Sequence, residues 1–261
     1  MKQISIISPE IINMYSHSVL TYMIDFCFEN LELCQLYVDD AKNPAYSFLR
    51  FKHLVFCGGQ ASSQCVNFLS DIVIKDNQKK VSSYFFVVYP DDKWKKLLAA
   101  FFKEQGTIYE RSIYSIVPEK INHQSKKENV IDIKPSLVNS VYNNMEMVIN
   151  EITMTGTYGN INDFRLRGIG YALLMENEIC GFCTSEYPSK RSIAIGIEVH
   201  SNYQRRGYAK EMTMCLLNEA ASRHLTVYWE CWKENIASSK TALSCGFNKV
   251  TDYELLVIKP S

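Results

Sequence analysis

The sequence lacks three features that would assign it early to a class of protein. No apolar run reaches the ~18 residues of a membrane-spanning helix, and Met1–Ser5 opens no secretory signal. Neither sign of charge dominates, because 28 basic residues balance 28 acidic ones. The sequence therefore lacks the excess of positive charge that binding to nucleic acid or to an anionic membrane would need. We expect a soluble, cytoplasmic protein whose partners are neither nucleic acid nor membrane.

Residues spaced to bind a metal are also missing. The five histidines form no ligand-spaced cluster, and the single C-x-x-C motif is Cys180 to Cys183. This motif lies in a strand-like run, whose period of two would place the two thiols on opposite faces. Nine cysteines without a secretory signal favour reduced thiols that act as small core residues. We expect no metal site.

The length and composition of the chain predict two domains. The chain has 261 residues, of which 47% are hydrophobic, so two modest cores are possible. A polar stretch without periodicity covers residues 118–130 and predicts a boundary, with an N-terminal α/β domain at 1–125 and a second domain at 126–261. In the first domain, the spacing of apolar residues predicts helices within 9–37, a strand at 53–57 that ends at Gly58-Gly59, and a helix around 65–72. It then predicts a strand at 82–89, a helix capped by Asp91-Asp92, and a strand at 107–117.

For the second domain, the sequence predicts a more regular alternation of strands and helices than for the first. Part of 131–152 is helical, and 168–175 with 179–186 form a hairpin. A strand at 193–199 precedes a long helix from Ala209, followed by a strand at 225–232 and a short helix from Asn235 to about Ser244. Gly246 stands in the usual position after a helix, and two closing strands are predicted at 247–250 and 253–258.

The segment from Ile193 to Ser222 is the most informative part of the chain. Its strand runs into a short loop, and that loop runs into a helix with apolar residues at helical spacing. Free N–H groups and the positive dipole end at a helix start suit a phosphate. Gly207 permits close backbone approach and Ala209 keeps the first turn thin, while Arg205 and Arg206 can add positive charge.

The loop pattern, Gln/Arg-x-x-Gly-x-Gly/Ala, occurs twice, at 204–209 and again at 165–170. Only the first copy has a strand before it and a helix after it. The second follows a turn-like stretch at 158–163 and precedes only a short run before Glu176-Asn177, so we interpret it as a loop entering a strand. The sequence context favours 204–209 as the phosphate site.

With this loop, residues 131–261 resemble a complete domain of the GNAT acyltransferases. The resemblance rests on five segments in the same order and spacing: 195–199, 204–209, 229–231, 235–238 and 245–247. Together with Tyr89-Pro90-Asp91-Asp92, it extends to the bacterial two-domain GNAT acetyltransferases. It implies an α/β (α+β) fold with a mixed, mostly antiparallel central sheet flanked by helices, and a smaller N-terminal α/β domain, with a partial GNAT-like repeat as one form of it.

The resemblance also implies a cosubstrate and its contacts. Acetyl-CoA would insert its pantetheine arm between two parted strands and rest its diphosphate on the loop. A small-molecule amine would be the acceptor, and no metal is implied. The cofactor-binding residues would be Ile197, Glu198, Val199, Gln204, Arg205, Arg206, Gly207, Tyr208, Ala209, Asn235 and Ser238. Asn235 has a second interpretation, as a helix cap.

Amide formation needs a base for the amine proton, and the resemblance suggests two carboxylates. Glu230 at the end of the strand 225–232 is the first candidate, and Glu198 is the second.

The family often has a tyrosine seven residues after the asparagine that corresponds to Asn235, and this tyrosine acts as an acid toward the departing thiolate. In this sequence that position is Ala242. Ser238, Ser239 or Tyr253 could assist, or coenzyme A could leave unaided. The alternatives are a non-catalytic acyl-CoA-binding module and an amino-acid N-acyltransferase with a larger acyl donor.

Overall fold

A computed structural model describes residues 2–78, 84–119, 128–137 and 142–259, with only the backbone described for 73–78. Backbone contacts divide the chain into two compact units. The first contains Met1–Arg111 and Asp252–Ser261, and the second contains Ser112–Thr251. The boundary predicted between residues 125 and 126 lies outside the described residues and stays a prediction.

The first unit is a mixed sheet with helices. Its strands are β1 (Lys2–Ile4), β2 (Gln35–Val38), β3 (Tyr46–Phe51), β4 (Leu54–Gly59), β5 (Phe85–Val88), the first part of β6 (Gly106–Ile116) and the last part of β12 (Asn248–Ile258). Its helices are α1 (Pro9–Met14), α2 (Thr21–Glu29), α3 (Ser63–Gln78) and α4 (Asp92–Phe101). The strand order is β1-β2-β3-β4-β5-β12-β6, in which β4 and β5 are parallel.

The order strand, helix, parallel strand, helix gives this unit the α/β plan that the sequence predicts. The β4 strand leads through Gly58-Gly59 to α3, and β5 leads to α4. Asp91 caps α4, since its carboxylate accepts hydrogen bonds from the N–H groups of Lys93 and Trp94 at 2.9 and 3.0 Å. The fully buried Trp94 anchors α4 in the core.

The second unit places helices on both faces of its sheet. Its strand order is β12-β6-β11-β10-β9-β8-β7, with β7 (Val130–Asp132), β8 (Gly170–Met175), β9 (Glu178–Glu186), β10 (Ser192–Val199) and β11 (Thr226–Trp232). The helices are α5 (Met145–Thr155), α6 (Ile161–Arg167), α7 (Tyr208–Ser222) and α8 (Ile236–Ser244). The pairs β7–β8, β8–β9 and β9–β10 are antiparallel, and β10–β11 is parallel.

Two separate apolar clusters cover the two faces of this sheet. On one face Ile193, Ile195, Val227 and Trp229 pack with residues of α7 and α8. On the other face Phe182 packs with residues of α5 and α6. Strand alternation produces both clusters, because neighbouring residues of one strand point to opposite faces. The predicted fold class is therefore confirmed.

Several predicted elements need correction. Residues 35–37 are not helical, because Gln35–Val38 pairs with β1 and β3 and tertiary pairing overrides the local pattern. The strand β3 was not predicted, since all six of its residues are buried and show no alternation. The two closing strands are one strand, Asn248–Ile258, because Thr251-Asp252 contains neither glycine nor proline to end it.

Two further corrections concern the second unit. Residues 161–167 form the helix α6, in which the Asn160 side chain accepts a hydrogen bond from the Asp163 N–H and Arg167 pairs with Asp163. The second copy of the loop pattern, residues 165–170, therefore begins inside a helix rather than after a turn. Cys180 and Cys183 share one apolar cluster instead of lying on opposite faces, because the β8–β9 register shifts at Leu173/Leu174 and breaks the period of two.

Candidate active site

The two parallel strands of the second unit pair over only part of their length. Ser192, Ile193 and Ala194 of β10 pair with Thr226, Val227 and Tyr228 of β11. Both strands continue beyond this point, β10 to Val199 and β11 to Trp232, without a described register between them. A gap therefore opens after Ala194 and Tyr228.

The other edge of β10 stays paired with β9 as far as Val199 and Gly181. The N–H of His200 then donates to the Cys180 carbonyl at 2.8 Å. Because hydrogen-bonded pairs alternate along an antiparallel ladder, Glu198 and Gly196 also direct their backbone groups to β9. Ile197 and Val199 direct theirs into the gap. An extended amide chain could pair with this open edge as an added strand would.

The loop after β10 turns sharply into α7. Arg205 and Gly207 both have positive φ angles, 58° and 81°. Gly207 is the N-cap of α7, and among the described residues no side chain caps this helix start. The Gln204 side chain donates to the Val199 carbonyl at 2.9 Å and fixes the loop to the strand end. The loop thus presents the first N–H groups of a 15-residue helix, as an anion site requires.

The start of α8 forms the opposite wall. The Asn235 Oδ1 accepts a 3.1 Å hydrogen bond from the Ser238 N–H, so Asn235 caps the helix. The Ser238 Oγ accepts a 2.9 Å bond from the Trp229 indole nitrogen. Trp229 lies on β11 and is 2% exposed. Strand β11 and helix α8 are therefore connected beside the gap.

These elements enclose a cleft of about 800 Å³. Ten of the eleven residues predicted to bind the cofactor line it, and Arg206 does not. The Arg206 guanidinium instead lies over the Tyr203 ring, 5.7 Å from its centroid. The lining contains eight further residues that were not predicted to bind the cofactor: Tyr203, Lys210, Trp229, Ile236, Ala237, Lys240, Thr241 and Ser244. A hydrogen bond with Cys180 raises the pKa of Tyr203.

The two candidate bases lie on the sheet face away from α7. On β11, Val227, Trp229 and Cys231 belong to the α7 cluster, so alternation turns Glu230 to the other face. On β10, Ile195 and Ile197 pack toward the α7 cluster, so Glu198 also faces away. Glu198 lines the cleft, whereas Glu230 does not. Continuing the register from Ala194 and Tyr228 places Glu230 level with Gly196 across the gap.

The residues considered as the acid that protonates the departing thiolate lie in different parts of the structure. Ala242 is fully buried in the α7 cluster. Ser238 lines the cleft, and the Ser239 Oγ lies 3.5 Å from the Cys231 Sγ. Tyr253 belongs to the first unit, where it lines a separate cavity. Of Ser238, Ser239 and Tyr253, Ser238 is therefore the one that lines the cleft.

The chain is similar to known proteins over most of its length. The family model for GNAT acetyltransferases matches residues 14–256, and the chain belongs to this family. It is 20% identical over 222 residues to an uncharacterized N-acetyltransferase, YdfB, of Bacillus subtilis, covering 84% of each chain. Family membership supports acyl transfer in general.

Solved structures agree with the fold. A GCN5-related N-acetyltransferase-like protein from Streptococcus suis superposes with a TM-score of 0.68 and 17% identity, covering 95% of this chain and 96% of that one. A GCN5-related N-acetyltransferase from Kribbella flavida gives a TM-score of 0.59 and 8% identity, covering 94% of this chain and 97% of that one.

Among the described residues, no helix has the length and apolar character to cross a bilayer, and no group of side chains is arranged to hold a metal ion.

Proposed function

We propose that this protein transfers the acetyl group of acetyl-CoA to the amine of a small molecule. The observation that carries the proposal is the open edge of β10 beside the uncapped start of α7. Ile197 and Val199 would pair with the amides of the pantetheine arm. The N–H groups that begin at Gly207 would bind the diphosphate, with Arg205 and Lys210 supplying positive charge from the cleft wall.

The chemistry follows from the groups around the gap. The acceptor nitrogen forms a bond to the thioester carbonyl carbon, and the carbon–sulfur bond then breaks to release the thiolate of coenzyme A. The nitrogen must first be neutral, so a carboxylate has to take its proton, directly or through water. Glu230 and Glu198 are the proposed bases because both occupy the face opposite α7. Ser238 is the proposed donor to the departing thiolate.

The test is a thiol-release assay with acetyl-CoA and a panel of amines. We expect turnover with at least one amine, and a fall of about 100-fold or more in kcat for Glu230→Gln or Glu198→Gln, the range that general-base removal gives. The control is Glu146→Gln, an exposed carboxylate on α5. CoA binding without turnover of any amine would favour the non-catalytic module, and faster release from benzoyl-CoA would favour a larger acyl donor.

A further inference from the structure

A second group of polar side chains surrounds Gly196, on the sheet face opposite α7. Gly196 lies two residues beyond the last pair of β10 and β11, at the apex of the gap. A Cβ built on Gly196 would collide with the Glu186 carboxylate and lie 3.1 Å from the Glu151 Oε1. Glu186 ends β9 and Glu151 lies on α5. Two carboxylates from different elements therefore converge where the sheet has no side chain.

A buried hydroxyl faces the same place. Thr184 pairs with Gly196 in the β9–β10 register, so the Thr184 side chain leaves the sheet on the face where Gly196 has none. Thr184 is 1% exposed, and its Oγ1 has no hydrogen-bond partner within the described part of the chain. A buried hydroxyl without a partner is costly. A ligand that donates a hydrogen bond here would remove that cost.

We propose that Glu186, Glu151 and Thr184 form a subsite for a protonated amine of the acceptor. An ammonium group has three N–H donors and no acceptor, and the subsite offers acceptors on three side chains. A hydrogen bond to a carboxylate is stronger when the donor is charged. The missing side chain at Gly196 leaves room for the Glu186 carboxylate, which any larger residue would displace.

The charge of this subsite also defines the class of acceptor. Two carboxylates favour the charged form of a bound amine, and an ammonium nitrogen has no lone pair with which to attack a thioester. The amine in the subsite is therefore not the one that reacts. The acceptor carries a second amine, which reaches the thioester in the gap while the first is held. Aliphatic diamines and polyamines fit, and acceptors with a carboxylate beside the amine are repelled.

This inference rests on the proposed function, and direct binding separates the two. Calorimetry would measure 1,4-diaminobutane, with 1-aminobutane as the one-charge comparison, on the protein alone and on the protein with CoA. We expect 1-aminobutane to bind, because its one ammonium group can occupy the subsite, and we expect 1,4-diaminobutane to bind as well. Glu186→Gln and Glu151→Gln should each weaken its binding about tenfold, the usual effect of losing a hydrogen bond to a charged group. The Glu146→Gln variant on the same helix should bind like the wild type.

The variant Thr184→Val separates a loss of ligand contact from a general loss of stability as the cause of weaker binding. Valine keeps the shape of threonine without the hydroxyl, so we expect a higher melting temperature but weaker 1,4-diaminobutane binding, with CoA affinity unchanged. Equal binding of 1,4-diaminobutane to the wild type, Glu186→Gln and Thr184→Val would overturn the subsite. A protein that binds the diamine in this pattern but does not bind CoA would keep the subsite and overturn the proposed function.

Discussion

The indole nitrogen of Trp229 donates a 2.9 Å hydrogen bond to the hydroxyl oxygen of Ser238. This bond joins β11, one side of the gap, to the first turn of α8. Because Ser238 accepts it, the hydroxyl proton can be directed to another acceptor, and the sulfur of a departing thiolate is one. The same serine thus has a structural role that can be separated by experiment from its proposed chemical one.

Removing this hydroxyl should destabilise the protein. Ser238→Ala leaves the buried indole N–H without its acceptor, at a cost of about 1–3 kcal/mol, measurable by urea unfolding. Ser239→Ala on the same helix is the control and should cost less. In a Trp229→Phe background, which has no indole donor, the Ser238→Ala penalty should shrink. An unchanged penalty would show that the two side chains are not coupled.

The conformation of Gly207 should be required for CoA binding. Its φ of 81° lies in the left-handed region, where alanine costs roughly 1–2 kcal/mol. Gly159, with a φ of 72° and open space around its Cβ position, is a matched control outside the cleft. We expect both Gly207→Ala and Gly159→Ala to lower the free energy of unfolding, and calorimetry to show weaker CoA binding only for Gly207→Ala. Equal CoA affinity in the two variants would contradict the loop assignment.

The two arginines of the loop should contribute unequally. Arg205 lines the cleft, whereas Arg206 does not line it and lies over Tyr203. We expect Arg205→Ala to weaken CoA binding more than Arg206→Ala does, and the difference to shrink at high salt because exposed charges are screened. Titrations at low and high ionic strength would measure this. A larger loss for Arg206→Ala would contradict the placement.

The nine cysteines should be unreactive while the protein is folded. All nine are buried and free, and burial raises the pKa of Cys57, Cys183 and Cys245. A raised pKa lowers the fraction of thiolate, the form that reacts, so this fraction is small at pH 8 and grows only at higher pH. A disulfide-exchange reagent at pH 8 should modify the thiols quickly in denaturant and slowly without it. Rapid modification of the native protein would contradict the described burial.

The sequence predicted the second unit well because its signals are local. The strand, Gly207 loop and helix follow one another directly, and Asn235 caps α8 as its position indicated. The hairpin β8–β9 and the glycine after α8 were also correct, since turn and cap residues act within a few positions. The cleft lining follows from these same local elements, which is why ten of the predicted residues lie in it.

What the sequence did not predict depends on contacts between distant segments. The pairing of β6 between β11 and β12 cannot be read from any local pattern. The convergence of Glu186, Glu151 and Thr184 on Gly196 involves three elements, and each residue alone resembles an ordinary strand or helix side chain. The shift of register at Leu173/Leu174, which places Cys180 and Cys183 in one cluster, is visible only once β8 and β9 are paired. These features come from tertiary packing, which overrides or supplements local propensity.

A crystal structure after soaking with acetyl-CoA would test the central claim most directly. We predict the diphosphate on the N–H groups that begin at Gly207, and the pantetheine arm along the open edge formed by Ile197 and Val199. The thioester should then lie near the apex of the gap, beside Gly196. A diphosphate bound instead at residues 165–170, the second copy of the loop pattern, would contradict the account.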